Sequence, residues 1–181
     1  METLETGFEG LTLIRPLVFT DERGWFSELY KEANYNELIG DSTFVQDNIS
    51  CSKKNVLRGL HFQAPPFAQA KLVTVLSGKV LDVVVDCRKS SNTYGKYFSV
   101  VLDSEKKEQL YIPRGFAHGF ISLENDTHFL YKCDGQYNKE SEMTLLWDDP
   151  DLAIDWGADN PLISSKDLVG VNWKEFNSPF E

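Results

Sequence analysis

The chain has 181 residues and a formal net charge of −10. A chain of this length buries enough surface to fold without disulfides or metals, so one domain over residues 1–181 is the simplest interpretation. The negative charge excludes a general nucleic-acid binder, because phosphate backbones require a basic surface.

The sequence predicts neither a membrane-spanning segment nor a secretory signal. No apolar run approaches the roughly 18 residues that cross a bilayer. The first ten residues, METLETGFEG, lack a basic segment followed by an apolar one. Three cysteines without CxxC spacing, Cys51, Cys87 and Cys133, favour a reducing compartment. We therefore expect a cytoplasmic protein.

The N-terminal third alternates short extended segments with turns and one helix. Predicted strands cover residues 11–19, 25–30, 44–50 and 56–63. The sequence Asp-Glu-Arg-Gly at residues 21–24 predicts a turn between the first two strands. The best short helix covers residues 33–40 and ends at Gly40.

Residues 71–88 carry the strongest local signal. Two β-branched arms flank Ser77 and Gly78, which predicts a tight hairpin turn. In the second arm, strand alternation places Asp82 and Asp86 on one face of the strand. The opposite face carries the apolar residues Leu81, Val83, Val85 and Cys87.

The C-terminal half continues the strand pattern. We predict a strand pair over residues 97–102 and 109–112, joined by the charged turn DSEKKE. Further strands are predicted over residues 116–123 and 127–133, and residues 164–181 resemble a short helical or irregular tail. So many short strands separated by turns predict a mainly β sandwich or barrel with a few short helices.

One histidine lies among polar residues in strands that otherwise resemble core. His61 lies in VLRGLHFQ, and alternation places it on one strand face with Leu57 and Gly59. An isolated strand histidine is commonly a satisfied core or surface residue. However, Arg58 and Lys71 enter the same strands, and burying unpaired polar groups costs roughly 2–7 kcal/mol each. Polar groups that converge inside a small barrel indicate a binding or catalytic site.

This arrangement resembles the cupin barrel, whose metal-binding form carries His-x-His followed by Glu, and later Pro-x-Gly-x-x-His. Here the first motif reads His61-Phe62-Gln63, with Lys71 downstream, and the second survives as PRGFAH at residues 113–118. Because a divalent site requires several N or O ligands, the glutamine and the cation disfavour a metal. The resemblance implies a jelly-roll barrel of antiparallel strands that uses acid–base chemistry. A metal-dependent dioxygenase or isomerase is the alternative.

A narrower resemblance runs from about residue 8 to about residue 170. The matching segments, in chain order, are DERGWFSE, FVQDN, VLRGLHFQ, KLV, VVVDCRKSS, IPRGFAHGF, LYK and LAIDW. Each segment is a weak signal, but eight in the correct order are a strong one. The chain is therefore similar to the dTDP-4-dehydrorhamnose 3,5-epimerase family.

The resemblance implies a role for each matching residue. His61 matches the family's base, and Asp167 matches the acidic partner of that base. Tyr131 matches the proton-donating tyrosine, and Lys71 matches the lysine that stabilises the enolate. The matching substrate-binding positions are Arg23, Glu28, Gln46, Asn48, Arg58, His118, Tyr137, Glu142 and Lys166. Tyr137 falls near a family aromatic that lies by the nucleotide.

These residue types suit the chemistry that the resemblance implies. The protons on both carbons that flank the carbonyl of a 4-keto sugar are acidic, so epimerisation needs a base, an acid on the opposite face and a cation for the enolate. A histidine ionises near neutral pH, and a lysine stabilises developing negative charge. We expect no metal, nicotinamide or flavin, and the sequence carries no GxGxxG fingerprint.

Alternatives remain for residues and for function. Tyr131 also fits an ordinary sheet aromatic, Asp167 a helix N-cap, and Glu142 and Lys166 ordinary surface charges. A single-carbon epimerase of a related sugar would use the same base and acid. A non-catalytic sugar-nucleotide-binding cupin is a further interpretation.

The resemblance also implies an assembly. The segment around residues 23–28 is similar to a family edge that is exchanged between two subunits. Exchange covers an open sheet edge and completes the neighbouring site. We therefore expect a homodimer with exchanged N-terminal strands.

Overall fold

Short strands, nearly all of them antiparallel, are the main regular elements of the structure, a computed structural model that describes residues 1–40 and 42–181. The strands are β1 (Glu2–Glu5), β2 (Thr12–Arg15), β3 (Val18–Asp21), β4 (Gly24–Ser27), β5 (Gln46–Ser52), β6 (Val56–Gln63), β7 (Lys71–Ser77), β8 (Lys79–Asp86), β9 (Tyr97–Asp103), β10 (Gln109–Ile112), β11 (Phe116–Ser122), β12 (Thr127–Cys133), β13 (Glu142–Thr144) and β14 (Leu162–Ile163). The α-helix in the described ranges is α1 (Glu32–Ile39), and 3-10 helices cover Lys139–Ser141, Asp167–Val169 and Trp173–Glu175.

Two sheets form the walls of a jelly-roll barrel. The first has the strand order β1-β2-β10-β7-β12-β5, and the second has the order β13-β6-β11-β8-β9, with β14 parallel to β6. Strands β3 and β4 form a separate hairpin. The mainly β, jelly-roll prediction is confirmed.

Three apolar layers follow from strand alternation, which gives each sheet an inner and an outer face. Between the sheets, Val73 and Val75 of β7 face Val80 and Val84 of β8. The outer face of the second sheet is covered by C-terminal side chains, including Phe180. The layer on the outer face of the first sheet consists of Ile14, Tyr35, Ala70, Leu72 and Tyr111, with Tyr35 contributed by α1.

Helix α1 matches the predicted helix closely. It ends where Gly40 adopts a φ of 77°, a conformation that glycine accepts without a side-chain penalty. No helix within residues 1–40 or 42–181 is long and apolar enough to cross a membrane.

The hairpin predicted over residues 71–88 is wrong, although both of its arms are strands. Strand β7 pairs with β10 and β12, whereas β8 pairs with β9 and β11. The chain crosses between sheets at Gly78, where φ is 82° and a Cβ would lie 2.5 Å from Oγ1 of Thr127. Alternation correctly separated the faces of β8, but it does not identify a strand's neighbour.

The strand pair predicted over residues 97–102 and 109–112 is wrong for the same reason. Both segments are strands, but β9 pairs with β8 in the second sheet and β10 pairs with β2 and β7 in the first. The charged turn therefore connects the two sheets instead of closing a hairpin.

A β-bulge changes which side chains of β6 face the barrel interior. His118 of β11 pairs with His61, but Phe120, two residues later, pairs with Arg58, three residues earlier. The extra residue reverses the alternation, so Arg58 and His61 line one cavity while Leu57 and Leu60 contribute to the outer core. The predicted face shared by His61 and Leu57 is therefore wrong.

Gly59 makes this bulge possible. Its φ is 133°, and a Cβ at this position would lie 2.5 Å from Cα of Gly119. Only glycine combines this backbone conformation with such a close approach to a neighbouring strand.

Candidate active site

Two adjoining cavities open into the barrel. The larger has a volume of about 490 Å³ and the smaller about 120 Å³. His61, Lys71 and Tyr131 line both cavities. The larger cavity also contains Arg58, His118, Lys166 and Asp167, and the smaller contains Gln46, Asn48, Tyr137 and Glu142. Thus the structure brings together all the sequence-predicted site residues except Arg23 and Glu28.

His61 and Asp167 form an acid–base pair. Nε2 of His61 lies 2.6 Å from Oδ1 of Asp167, whose side chain is buried. Because a carboxylate accepts, Nε2 carries the proton, and Nδ1 is the nitrogen that can take up another. Burial lowers the pKa of His61, and Asp167 opposes this shift only in part. The imidazole is therefore neutral, as a base requires, near neutral pH.

The C-terminal segment brings Asp167 to this pair. Asp167 begins a 3-10 helix, and its backbone N–H donates to the carbonyl oxygen of Ser164 at 3.0 Å. Preceding β14 runs parallel to β6, so the segment passes directly beside the strand that carries His61. This contact spans 106 residues of sequence, which explains why spacing alone does not link the two.

Lys71 is a half-buried cation at the start of β7. Its Nζ donates to the backbone oxygen of His61 at 3.4 Å, which places the ammonium next to the histidine. Burial lowers the pKa of Lys71, while Cys133 and Asp82 raise it. The nearby negative charge of Asp82 favours the charged ammonium.

Tyr131 lies in the middle of β12, between Asn48 of β5 and Val73 of β7. It lines both cavities and is half-buried. Burial raises the pKa of its phenol, and Arg58 opposes the shift. The hydroxyl is therefore protonated near neutral pH, which is the form that donates a proton.

A second histidine–carboxylate pair, which is buried, meets the larger cavity through His118. Nε2 of His118 lies 2.9 Å from Oδ2 and 3.1 Å from Oδ1 of Asp82, a fully buried carboxylate. Burial raises the pKa of Asp82, whereas His118 and Lys71 lower it. Sequence reasoning missed Asp82 as a site residue. The signal was present, since a carboxylate on the inner face of a strand rich in valine requires a partner.

Glu142 connects the two cavities. It accepts hydrogen bonds from Oη of Tyr137 at 2.9 Å and from Nζ of Lys166 at 2.6 Å. Burial alone would raise the pKa of Glu142, but the hydrogen bonds from Lys166 and Tyr137 outweigh it and lower the pKa. On the opposite wall, Nε2 of Gln46 donates to Oδ1 of Asn48 at 2.9 Å.

Arg23 and Glu28 lie outside both cavities. Arg23, at the tip of the β3–β4 hairpin, is exposed and pairs with Asp21 at 2.6 Å. Glu28 accepts a hydrogen bond from Asn34 at 3.2 Å. Within a single chain, therefore, the hairpin does not contribute to the candidate site.

The described residues contain no group of three or more His, Cys, Asp and Glu side chains that could hold a metal ion. His61 and His118 are neighbours across β6 and β11, but each is hydrogen-bonded to its own carboxylate. This donor set suits proton transfer better than metal coordination.

The model of the family described as dTDP-4-dehydrorhamnose 3,5-epimerase matches residues 5–175. The chain belongs to this family. A curated dTDP-4-dehydrorhamnose 3,5-epimerase from Shigella flexneri is 47% identical over 171 residues, which is 94% of each chain. The family prediction and the prediction of an isomerase are thereby confirmed.

Solved structures of epimerases have the same fold. The dTDP-4-dehydrorhamnose 3,5-epimerase from Elizabethkingia anophelis is 48% identical, with a TM-score of 0.92 over 96% of this chain and 97% of that one. The dTDP-6-deoxy-D-glucose-3,5-epimerase from Legionella pneumophila, in complex with dTDP-4-keto-L-rhamnose, is 43% identical, with a TM-score of 0.93 over 97% and 94% of the two chains.

Proposed function

We propose that this chain epimerises dTDP-4-dehydro-6-deoxy-D-glucose at C3 and C5 to dTDP-4-dehydro-L-rhamnose, in dTDP-L-rhamnose biosynthesis. One observation carries the proposal: a histidine–carboxylate pair, a half-buried lysine and a protonated tyrosine converge on adjoining cavities. Family membership supports the substrate class. Because the C4 carbonyl acidifies the protons at C3 and C5, the reaction needs no cofactor.

In the proposed mechanism His61 is the base. Its neutral imidazole takes a proton from carbon through Nδ1, while Asp167 holds Nε2–H and stabilises the imidazolium that forms. A carboxylate in this position fixes the tautomer and the orientation of the ring.

Lys71 stabilises the enolate. When the proton leaves carbon, negative charge moves to the C4 oxygen, and a cation that lines a cavity stabilises this charge more strongly than one in open solvent. Lys71 has only a long contact to a carbonyl oxygen, at 3.4 Å, so its ammonium retains donors for the substrate.

Tyr131 returns a proton from the opposite face. Its phenol and the imidazole of His61 line the same cavities from different sheets, β12 and β6. This arrangement allows removal on one face and return on the other, which inverts the carbon.

The remaining polar residues bind the nucleotide sugar. Arg58, beside His61, and Lys166, at the larger cavity, supply positive charge for the diphosphate. His118, Gln46, Asn48, Tyr137 and Glu142 supply further polar contacts around the sugar and nucleotide.

We propose that the active form is a homodimer with exchanged N-terminal strands. The β3–β4 hairpin exposes the large apolar side chains of Phe19, Trp25 and Phe26, at 60%, 59% and 66%. A second copy would cover this surface. Exchange would also bring Arg23 and Glu28 to the partner's cavity, which accounts for their position outside their own.

All three cysteines are free thiols, which suits the cytoplasm.

The decisive experiment incubates the protein with dTDP-4-dehydro-6-deoxy-D-glucose in deuterated buffer and follows the sugar by NMR. We expect deuterium at C3 and C5 together with the epimerised product. His61→Asn abolishes both signals, whereas His128→Asn, outside both cavities, retains them.

Other outcomes favour other functions. Deuterium at one carbon only would indicate a single-carbon epimerase, and binding without deuterium uptake would indicate a non-catalytic sugar-nucleotide module. Activity that disappears after chelation and returns with a divalent ion would indicate a metal-dependent cupin.

A further inference from the structure

The side-chain amide of Gln63, the last residue of β6, bonds only to backbone groups. Its Nε2 donates to the carbonyl oxygens of Phe67 at 2.7 Å and Gln136 at 3.2 Å, and its Oε1 accepts from the N–H of Asn138 at 2.6 Å. Two carbonyl acceptors and one N–H donor fix the orientation of the amide. Gln63 is 5% exposed, and although it lines the smaller cavity, both of its N–H groups are already used.

These three bonds join two loops. The first loop, residues 64–70, connects β6 to β7, and the second, residues 134–141, follows β12. Nε2 of Gln69 adds a bond to the carbonyl oxygen of Gly135 at 2.6 Å, and Asp134 accepts from the N–H of Ala70 at 2.7 Å. Gln63 is the buried side chain that connects both loops to the strand carrying His61.

The backbone that Gln63 holds lies immediately on either side of Tyr137. Gln136 and Asn138 are its chain neighbours, so fixing both of them fixes the Cα of Tyr137. Tyr137 is 55% exposed, and its hydroxyl bonds to Glu142 on the wall of the smaller cavity. The Gln63 bonds hold the backbone directly on both sides of Tyr137, whereas the other bonds of this loop lie at Asp134, Gly135 and Ser141.

We propose that Gln63 is a positioning residue that holds Tyr137 and Glu142 over the smaller cavity and thereby sets the affinity for the nucleotide sugar. This inference rests on the proposed function. A loop fixed before binding loses less conformational freedom when the substrate arrives, so the fixed loop binds more tightly. Because Gln63 contacts neither the base nor the acid, its effect falls on binding and leaves the chemical step unchanged.

The test uses Gln63→Glu, which keeps the shape of the side chain but places a carboxylate oxygen against two carbonyl oxygens. We expect the KM for dTDP-4-dehydro-6-deoxy-D-glucose to rise about tenfold, with kcat changed less than about twofold. Gln63→Glu keeps an oxygen that accepts from the N–H of Asn138, so the exchange readout uses Gln63→Met, which removes all three bonds without adding charge. In free Gln63→Met, the backbone amide of Asn138 exchanges with deuterated solvent faster than in the wild type. If Gln63→Glu does not fold, Gln63→Met also serves for the KM measurement.

Gln109→Glu is the matched control. Gln109 is equally buried, at 3%, and its Nε2 donates to the carbonyl oxygen of Leu29 at 2.9 Å, but it lies outside both cavities. We expect this variant to lower stability and leave KM and Asn138 exchange unchanged. Gln63→Glu is also made in the Tyr137→Ala background to test whether its effect acts through Tyr137. If it does, the double variant has the same KM as Tyr137→Ala alone.

An unchanged KM in Gln63→Glu or unchanged Asn138 exchange in Gln63→Met overturns the inference, as does a full additional KM increase in the Tyr137→Ala background. The failure of the proposed function is a different result, because the wild-type protein itself would then not convert the substrate. Asn138 exchange tests the positioning of the loop in either case.

Discussion

Lys71 is the residue for which a charge change has the sharpest expected consequence. Lys71→Met keeps the length of the side chain and removes the charge from the buried end of the cavity. We expect kcat to fall because the transition state loses about 2–4 kcal/mol of stabilisation, as when an oxyanion donor is removed. KM changes little. Steady-state kinetics on the purified variant measure both constants.

The control for this substitution is Lys79→Met. Lys79 forms an ion pair with Asp103, at 3.2 Å, outside both cavities. Its loss leaves kcat unchanged, because it does not reach the candidate site. A normal kcat with a raised KM in Lys71→Met would instead make Lys71 a binding residue.

Tyr131→Phe separates removal of the proton from its return. The ring remains packed, but the donor is lost. His61 still abstracts the proton and returns it from the same side, so the variant exchanges substrate protons for deuterium while forming little epimer. NMR of deuterium uptake and of epimer yield on one sample checks both parts.

Tyr111→Phe serves as the matched control for Tyr131→Phe. Tyr111 is buried, but it faces the layer under α1 and bonds to Ser42 at 3.2 Å. We expect normal epimerisation from this variant. If Tyr131→Phe inverts the sugar at a similar rate, Tyr131 is not the acid.

The pH dependence of kcat/KM follows from two opposite requirements. His61 must be neutral, and because burial lowers its pKa, activity is lost only as the pH falls below the ordinary histidine value of about 6.5. Lys71 must be charged. Because burial lowers its pKa, rising pH abolishes activity at a pH below the ordinary lysine pKa of about 10.4. A pH profile whose acid limb lies above about 6.5 contradicts this assignment.

The residues that line the cavities were largely accessible from the sequence, but only some of their contacts were. The motif around His61 and the resemblance of LYK at Tyr131 were sufficient to select cavity residues, and the resemblance also gave Asp167 as the partner of His61. Alternation separated Asp82 from the apolar face of its strand, yet nothing local identified His118 as its partner, because the two residues are 36 positions apart in the sequence. Pairing across a sheet depends on topology, which short motifs do not encode.

Among the elements, β6 depends on its bulge. We expect Gly59→Ala to lower the free energy of unfolding by about 3 kcal/mol, because the new Cβ meets the backbone of Gly119 at 2.5 Å and φ is 133°. Urea denaturation followed by circular dichroism measures the change. Activity falls as well, since relief of the clash moves Arg58 or His61.

Gly157→Ala is the control for Gly59→Ala, because it measures the cost of a positive φ without a steric clash. Its φ is 66°, and nothing lies within 4 Å of a built Cβ. We expect a loss of about 1 kcal/mol. If Gly59→Ala costs no more than this control, the close approach of β6 and β11 does not constrain the bulge.

Strand positions followed from alternation and turn residues, whereas strand neighbours did not. The prediction for residues 56–63 coincides with β6, and both arms of the 71–88 segment are strands. The two arms face each other across the barrel because Val73 and Val84 bury their side chains in one core between the sheets. A hairpin and a crossover have the same local pattern, so only the packing of the complete chain distinguishes them.

For the whole molecule, we expect a dimer. Light scattering at micromolar concentration gives twice the chain mass, and Phe26→Asp shifts the protein to a monomer with reduced activity. The reason is that Phe26, 66% exposed on the β3–β4 hairpin, would be buried against the second copy. Val101→Asp, an exposed position on β9, is the control that stays dimeric.

A fully active monomer would contradict this assembly. It would also mean that Arg23 and Glu28 are not substrate-binding residues, since both lie outside the cavities of their own chain. The single domain over residues 1–181 stays a prediction that limited proteolysis can test.

The carboxylate that completes the base comes late in the chain. Asp167 follows His61 by 106 residues, and the segment after it packs Phe176 against Phe62 of β6, with ring centroids 5.6 Å apart. A nascent polypeptide that has left the ribosome only through β12 already contains His61, Lys71 and Tyr131, but its imidazole has no partner. Under the proposed mechanism, the base is therefore complete only after the segment that carries Asp167 has docked beside β6.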